Sequence, residues 1–128
     1  MKTNKIYAES SVGDLIDRIT ILEIKKLKIL NKKDLGYVKK ECQILKKILK
    51  KNIKIDGRIK KLWKNLKATN NKIWELEDQK RITQKYLEKL SEIAKNVYKL
   101  NDERANTKLK INKITKSNIR EVKNYAKY

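Results

Sequence analysis

Apolar residues recur at helical spacing along nearly the whole chain. Val12, Leu15, Ile16, Ile19 and Leu22 form a first stripe that runs on toward Ile29 and Leu30, with Ile21 and Ile24 widening it. Ser11 with Asp14 three residues later is a capping box, Asp standing in for the usual Glu, and marks where this helix starts. Lys25, Lys26 and Lys28 crowd its end, where the helix dipole favours cations. Asp34 is the expected cap of a second helix. Leu35, Val38, Cys42, Leu45 and Leu49 follow it at alternating steps of three and four, which is a heptad seam. Asp56-Gly57 interrupts the pattern, and Asp56 is the expected cap of a third helix with Ile59, Leu62, Trp63, Leu66, Ile73 and Trp74 inside. Thr83 is the candidate cap of a fourth, which carries Tyr86, Leu87, Leu90, Ile93, Ala94, Val97 and Tyr98 and continues to Ile111 and Ile114. At about 1.5 Å per residue this last helix reaches roughly 45 Å. That outgrows a compact bundle of this size and calls for a bend or a partner chain.

No stretch alternates as a strand would. The expected fold is all-α: a small antiparallel helical bundle of three to four helices, one of them long. The expected organisation is an N-terminal arm over 1–10, a helical bundle domain over 11–117 and a short basic C-terminal tail over 118–128.

Several polar residues fall on the apolar stripes. Glu23 and Lys26 extend the first, Asn70 and Glu77 lie on the third, and Asn101 and Arg104 lie on the fourth. An unpaired buried charge costs several kcal/mol, so these groups must find each other or a ligand. Glu77 with Arg104 is the expected pair, bridged by Asn70 and Asn101. The layer reads either as a satisfied network that fixes helix register or as the lining of a ligand or partner pocket.

Composition narrows the chemistry. The 128 residues include no His, no Pro and a single Cys. The commonest general base and the commonest zinc ligand are therefore missing, and Cys42 can form neither an internal disulfide nor a thiolate metal cage. No catalytic residue, metal site or cofactor is expected. No apolar run is long enough for a membrane span, and residues 1–15 lack the apolar core of a secretory signal, so a cytoplasmic location is expected.

The net charge is +20, from 35 basic and 15 acidic residues. Lys supplies 30 of the basic residues, and Lys, Ile and Asn together make up 46% of the chain, as an A/T-rich genome would favour. Arg, the residue suited to bidentate phosphate contacts, is scarce. The distribution is more telling than the total. Residues 25–67 hold a net +14 and residues 105–128 a net +6, whereas residues 68–104 hold only +1. The central block supplies the candidate polyanion-binding residues: Lys39, Lys40, Lys46, Lys47, Lys50 and Lys51 on the second helix, and Lys60, Lys64 and Lys67 on the third. If the two helices pair across Asp56-Gly57, these faces adjoin. The alternative is a solvated face kept soluble by like charge. Trp63 and Trp74 lie on an apolar stripe and read as core rather than as base-stacking platforms.

Three ordered segments resemble DUF6165, a family of short bacterial and phage proteins without assigned function. They are Ser11 to Lys25 (Ser-Val-Gly-Asp-Leu-Ile-Asp-Arg-Ile-Thr-Ile-Leu-Glu-Ile-Lys), Leu66 to Asp78 (Leu-x-x-x-Asn-x-x-x-Trp-x-x-Glu-Asp) and Val97 to Ala105 (Val-Tyr-x-Leu-Asn-Asp-x-Arg-Ala). The resemblance spans nearly the whole chain, implies a small helical fold and implies no activity. The family pattern has a Gly/Asp turn between the second and third segments. Here Lys80 to Lys85 stand in its place, which leaves the boundary between the third and fourth helices open. Leu100 to Ala105, followed by Ile111 and Lys116, is also similar to a segment of helical chorismate mutases, which bind a dicarboxylate between helices through Arg and Lys.

Three functional classes follow. The first is a non-catalytic helical interaction module that docks on another protein or self-associates. The second is a non-specific binder of RNA, DNA, anionic lipid or glycan phosphate through the Lys-rich block. The third is a small-molecule enzyme with a chorismate-mutase-like inner polar site.

Overall fold

The computed structural model describes residues 1–82 and 87–122. Its elements are four helices: α1 (Val12–Lys28), α2 (Lys32–Asn52), α3 (Gly57–Ile82) and α4 (Leu87–Thr115). No strand occurs among the described residues, and no helix is long and apolar enough to cross a membrane. Residues 1–10 carry no regular structure and are exposed.

Each described helix start has a sequence-coded reason. The Ser11 side chain accepts from the Asp14 amide, as the capping box requires. The second helix starts earlier than expected. Asn31 is its cap and accepts from the Asp34 amide, so Asp34 is the acidic residue of the first turn rather than the cap. The same spacing of cap and acidic residue serves both helices, and Asn31 caps as well as Asp does. Asp56 caps α3 as expected, its carboxylate accepting from the Ile59 amide at 3.0 Å. That amide, with Arg58 beside it, holds the Asp56 carboxyl below the usual carboxylate range. The candidate cap Thr83 and the helical position of Tyr86 lie outside the described residues, as does the tail beyond residue 122.

The C-terminus of α4 closes in a two-bond turn. The Ser117 amide donates to Asn112 O, and Lys116 sits at a φ of 52°, the left-handed position usually given to Gly.

α1 is the hub. Among the described residues it is the one helix that packs on all three others, while α3 packs along α4 and α2 packs on α1. Being covered from several sides explains its burial pattern: Gly13, Ile16, Asp17, Ile19, Thr20, Leu22 and Ile24 are all buried. Ile24 and the half-buried Ile21 therefore belong to the interior, whereas Leu30 lies past the end of α1 and is exposed. The core consists of Ile16, Ile19 and Leu22 of α1, Cys42 and Leu49 of α2, Ile59 and Leu66 of α3 and Ile111 of α4. Burying each such aliphatic side chain contributes about 1.5–3 kcal/mol. Cys42 is fully buried in the seam and behaves as a small packed hydrophobe.

α1 lies across α3 and α4 so that its start meets the end of α4 and its later turns meet the early turns of α3. The Gly13 amide donates to Asn112 Oδ1 at 2.6 Å, and the Val12 amide donates to Ser117 Oγ. At the other end of α1, Glu23 meets Trp63 of α3. Gly13 is required by this crossing, because a Cβ there would stand 2.6 Å from the Lys108 carbonyl oxygen and 2.8 Å from Asn112 Oδ1.

Candidate functional site

Two polar assemblies surround α1. The first is a buried knot. Arg104 of α4 donates from Nε to Asp17 Oδ1 at 2.8 Å and from Nη2 to Asp17 Oδ2 at 2.5 Å. The Asn70 amide of α3 donates to Asp17 Oδ1 and to Thr20 Oγ1, each at 2.8 Å. The Thr20 hydroxyl in turn donates to the Asp17 carbonyl. Asp17 raises the Arg104 pKa above its usual value, with burial working against it. One turn toward the N-terminus of α1, Lys108 bridges Asp14 at 3.1 Å and Glu121 at 2.8 Å. Burial lowers the Lys108 pKa, but Glu121 and Asp14 more than offset it, and the net direction is upward.

The knot corrects the expected pairing. Arg104 pairs with Asp17, not Glu77, and Glu77 is half-buried with no ion pair among the described residues. Asn70 and Arg104 share one carboxylate oxygen and so lie level with each other. Glu77 sits seven residues further along α3, about 10 Å away, out of reach of that guanidinium. Asn101 is half-buried on α4 and is not part of the knot. Glu23 lies in the second assembly instead.

Asp17, Thr20, Gly13, Lys108 and Asn112 were not singled out from the sequence. A signal existed for them. Gly13, Asp17, Thr20 and Ile24 recur at helical spacing as a second stripe on α1, and Lys108 and Asn112 continue the α4 stripe from Arg104. Asp17, Asn70 and Arg104 fall one each in the three segments Ser11–Lys25, Leu66–Asp78 and Val97–Ala105. The fold brings those segments together at a single carboxylate.

The second assembly is a groove of about 400 Å³ between α2 and α3, lined by Glu23, Lys46, Lys50, Ile55, Lys60, Trp63, Lys64 and Lys67. α2 and α3 do not pack directly on each other, which leaves the groove open. The Trp63 indole N–H donates to Glu23 Oε1 at 2.8 Å, tying one edge of the ring to α1. Lys46 pairs with the other Glu23 oxygen at 3.3 Å. Lys50, Lys60, Lys64 and Lys67 form no ion pair among the described residues. Five of the nine candidate lysines thus converge on one concavity. Lys39, Lys40, Lys47 and Lys51 are exposed outside it. No group of three or more Cys, Asp or Glu among the described residues is placed to hold a metal ion.

The two assemblies differ in what they can do. The knot is closed: the Asp17 oxygens, the Thr20 hydroxyl and the Arg104 Nε and Nη2 are all engaged internally. The groove is open and presents unpaired ammonium groups beside Trp63, a half-buried ring that packs against the core as expected, which is chemistry for holding an anion. No curated protein and no solved structure matches the chain. A family model described as a family of unknown function (DUF6165) matches residues 6–128, and the chain belongs to that family.

Proposed function

We propose that this chain is a non-catalytic helical interaction module whose groove between α2 and α3 holds a phosphate-bearing polyanion, with single-stranded nucleic acid as the best fit. The observation that carries this reading is the convergence of Lys46, Lys50, Lys60, Lys64 and Lys67 around Trp63, with one carboxylate, Glu23, among them. Four unpaired ammonium groups facing one concavity repel each other, and an entering phosphate chain relieves that repulsion. A concave groove suits a flexible strand better than a flat lipid surface, and Trp63 in its lining offers apolar contact to a base or sugar. The groove has no Arg and no array of base-reading groups, so the binding is sequence-indifferent.

The chorismate-mutase-like alternative gains no support. Arg104 is held by Asp17, Ile111 is fully buried and Lys116 lies beyond the end of α4.

The test compares two variants that remove equal charge. One replaces Lys50, Lys60, Lys64 and Lys67 with Gln, and the other replaces Lys39, Lys40, Lys47 and Lys51. Binding is measured with a fluorescent single-stranded RNA at two salt concentrations, alongside duplex DNA, heparin and anionic vesicles. The groove variant loses at least about tenfold in affinity for RNA and its salt slope flattens, since each phosphate contact on a single strand contributes about 0.7 to that slope. The outer variant loses far less. Equal losses from both variants make the effect one of net charge and overturn the groove. No binding by the unaltered protein at low salt, or binding to vesicles alone, overturns the reading as a whole.

A further inference from the structure

The far ends of α3 and α4, beyond Asn70 and Arg104, leave the shelter of α1. Over residues 71–82 and 87–103 the two helices pack along each other, and among the side chains described there Ile93 is the one that is buried. Ile73, Trp74, Leu76, Val97 and Leu100 stay half-buried, and Ile82 is 80% exposed. Two adjoining depressions of about 380 and 390 Å³ run along this seam and share Leu76, Gln79 and Asn96. Together they form one groove, floored by Leu76, Ile93 and Leu100.

Its rim differs from that of the lysine groove. Lys72 alternates with Glu75 on α3, and Lys99 alternates with Glu103 on α4, all four exposed. The stretch 68–104 carries a net charge of +1 in a chain of +20. A second copy of so basic a chain is repelled by the lysine-rich faces of residues 25–67, whereas along this seam both signs alternate. A two-fold axis across the seam sets the Lys of one copy against the Glu of the other, which is the self-complementarity a closed dimer needs. The same contact completes a four-helix core that a projecting pair of helices cannot make alone.

We infer that two copies of this chain associate through the α3/α4 seam around Leu76, Ile93 and Leu100, forming a four-helix dimer. This inference goes beyond the polyanion reading and does not depend on it, although a dimer would carry two lysine grooves.

The test is solution mass by light scattering and sedimentation, on the unaltered chain and on two exposed-rim variants. One variant carries Lys72→Glu and Lys99→Glu, and the other carries Glu75→Lys and Glu103→Lys. These positions lie off the core, and a far-UV spectrum checks that both variants keep their helix content. The unaltered chain has twice the monomer mass, each variant alone has the monomer mass, and an equimolar mixture regains the doubled mass. A monomer mass for the unaltered chain at micromolar to millimolar concentration overturns the inference. So do variants that remain dimeric on their own, or a mixture that stays monomeric.

Discussion

Asp17 on α1 and Arg104 on α4, 87 residues apart in the chain, meet in a two-pronged ion pair in which the guanidinium uses Nε and Nη2 on the two carboxylate oxygens. Asn70 donates to the same carboxylate and to Thr20 Oγ1, and the Thr20 hydroxyl donates to the Asp17 backbone carbonyl. Three helices are thereby fixed in register at one point. The Asp17 side chain is 8% exposed and that of Arg104 is 28% exposed, so the pair is shielded but not sealed.

Removing one partner strands the other. Arg104→Ala leaves a buried carboxylate with only the Asn70 hydrogen bond and the nearby Lys108 charge, and costs about 3 kcal/mol. Arg104→Lys recovers little of this, since a point ammonium cannot match the fork. Glu77→Ala, at a half-buried position without an ion pair, costs under about 0.5 kcal/mol. Urea unfolding of the three variants gives the order directly. A Glu77→Ala loss as large as that of Arg104→Ala would contradict the assignment of the pair.

The contrast between these residues shows what periodicity can and cannot convey. The caps at Ser11 and Asp56, and the seam through Cys42 and Leu49, are local and were legible, because cap spacing and heptad steps depend on neighbours in sequence. That Asn70 and Arg104 fall on the inward stripes of their helices was legible for the same reason; Asn70 is buried there and Arg104 half-buried. Which carboxylate they share was not. Asp17 sits beside the main apolar stripe of α1, and only the covering of α1 by α3 and α4 makes its face interior. The lysine block was legible as a charge asymmetry. Which lysines share a groove was not, because that depends on the gap between α2 and α3.

Lys108 gives stability a dependence on pH at the alkaline end. Its pKa is raised in the folded protein, because Glu121 and Asp14 outweigh the effect of burial. A raised value means that the folded state holds this proton more tightly than the unfolded chain does. The contribution is therefore fully present below the unfolded pKa and is lost as pH rises through the folded one. Thermal unfolding followed from pH 9 upward shows a decline in Tm for the unaltered chain. Lys108→Met starts from a lower Tm and declines less over the same range, since the other lysines and tyrosines are common to both proteins. Parallel curves for the two proteins would remove Lys108 from the account.

Gly13 and Gly36 should respond to alanine in opposite directions. Both lie in helices, where Ala is favoured over Gly by about 1 kcal/mol. At Gly36 of α2 nothing stands within 4 Å of the added Cβ, so the substitution stabilises by about 0.5–1 kcal/mol. At Gly13 the same methyl group would meet the Lys108 carbonyl oxygen at 2.6 Å and Asn112 Oδ1 at 2.8 Å. The first of these is backbone and cannot swing away, so α1 must lift off α4. The Gly13 amide bond to Asn112 then lengthens, and the loss is about 1–3 kcal/mol. Chemical unfolding of the two variants measures both signs, and stabilisation by Gly13→Ala would show that the crossing is looser than these distances imply.

Glu23 has the least expected consequence, because removing its charge should improve binding. It is the one carboxylate in the lysine groove, accepting from Trp63 and pairing with Lys46. Glu23→Gln keeps an oxygen for the indole N–H, so Trp63 stays tethered. The change frees Lys46 and withdraws a negative charge from the path of an incoming phosphate. Affinity for single-stranded RNA at low salt should rise by about three- to tenfold, with a steeper salt dependence as a fifth ammonium joins the contact. Glu23→Ala gives up the tether as well, so the ring edge is released and the gain should be smaller. Fluorescence anisotropy across a salt series separates the two variants, and tryptophan emission reports whether Trp63 has moved. If Glu23→Gln leaves both the affinity and the salt slope unchanged, the bound anion does not reach Lys46, and the groove is not where it sits.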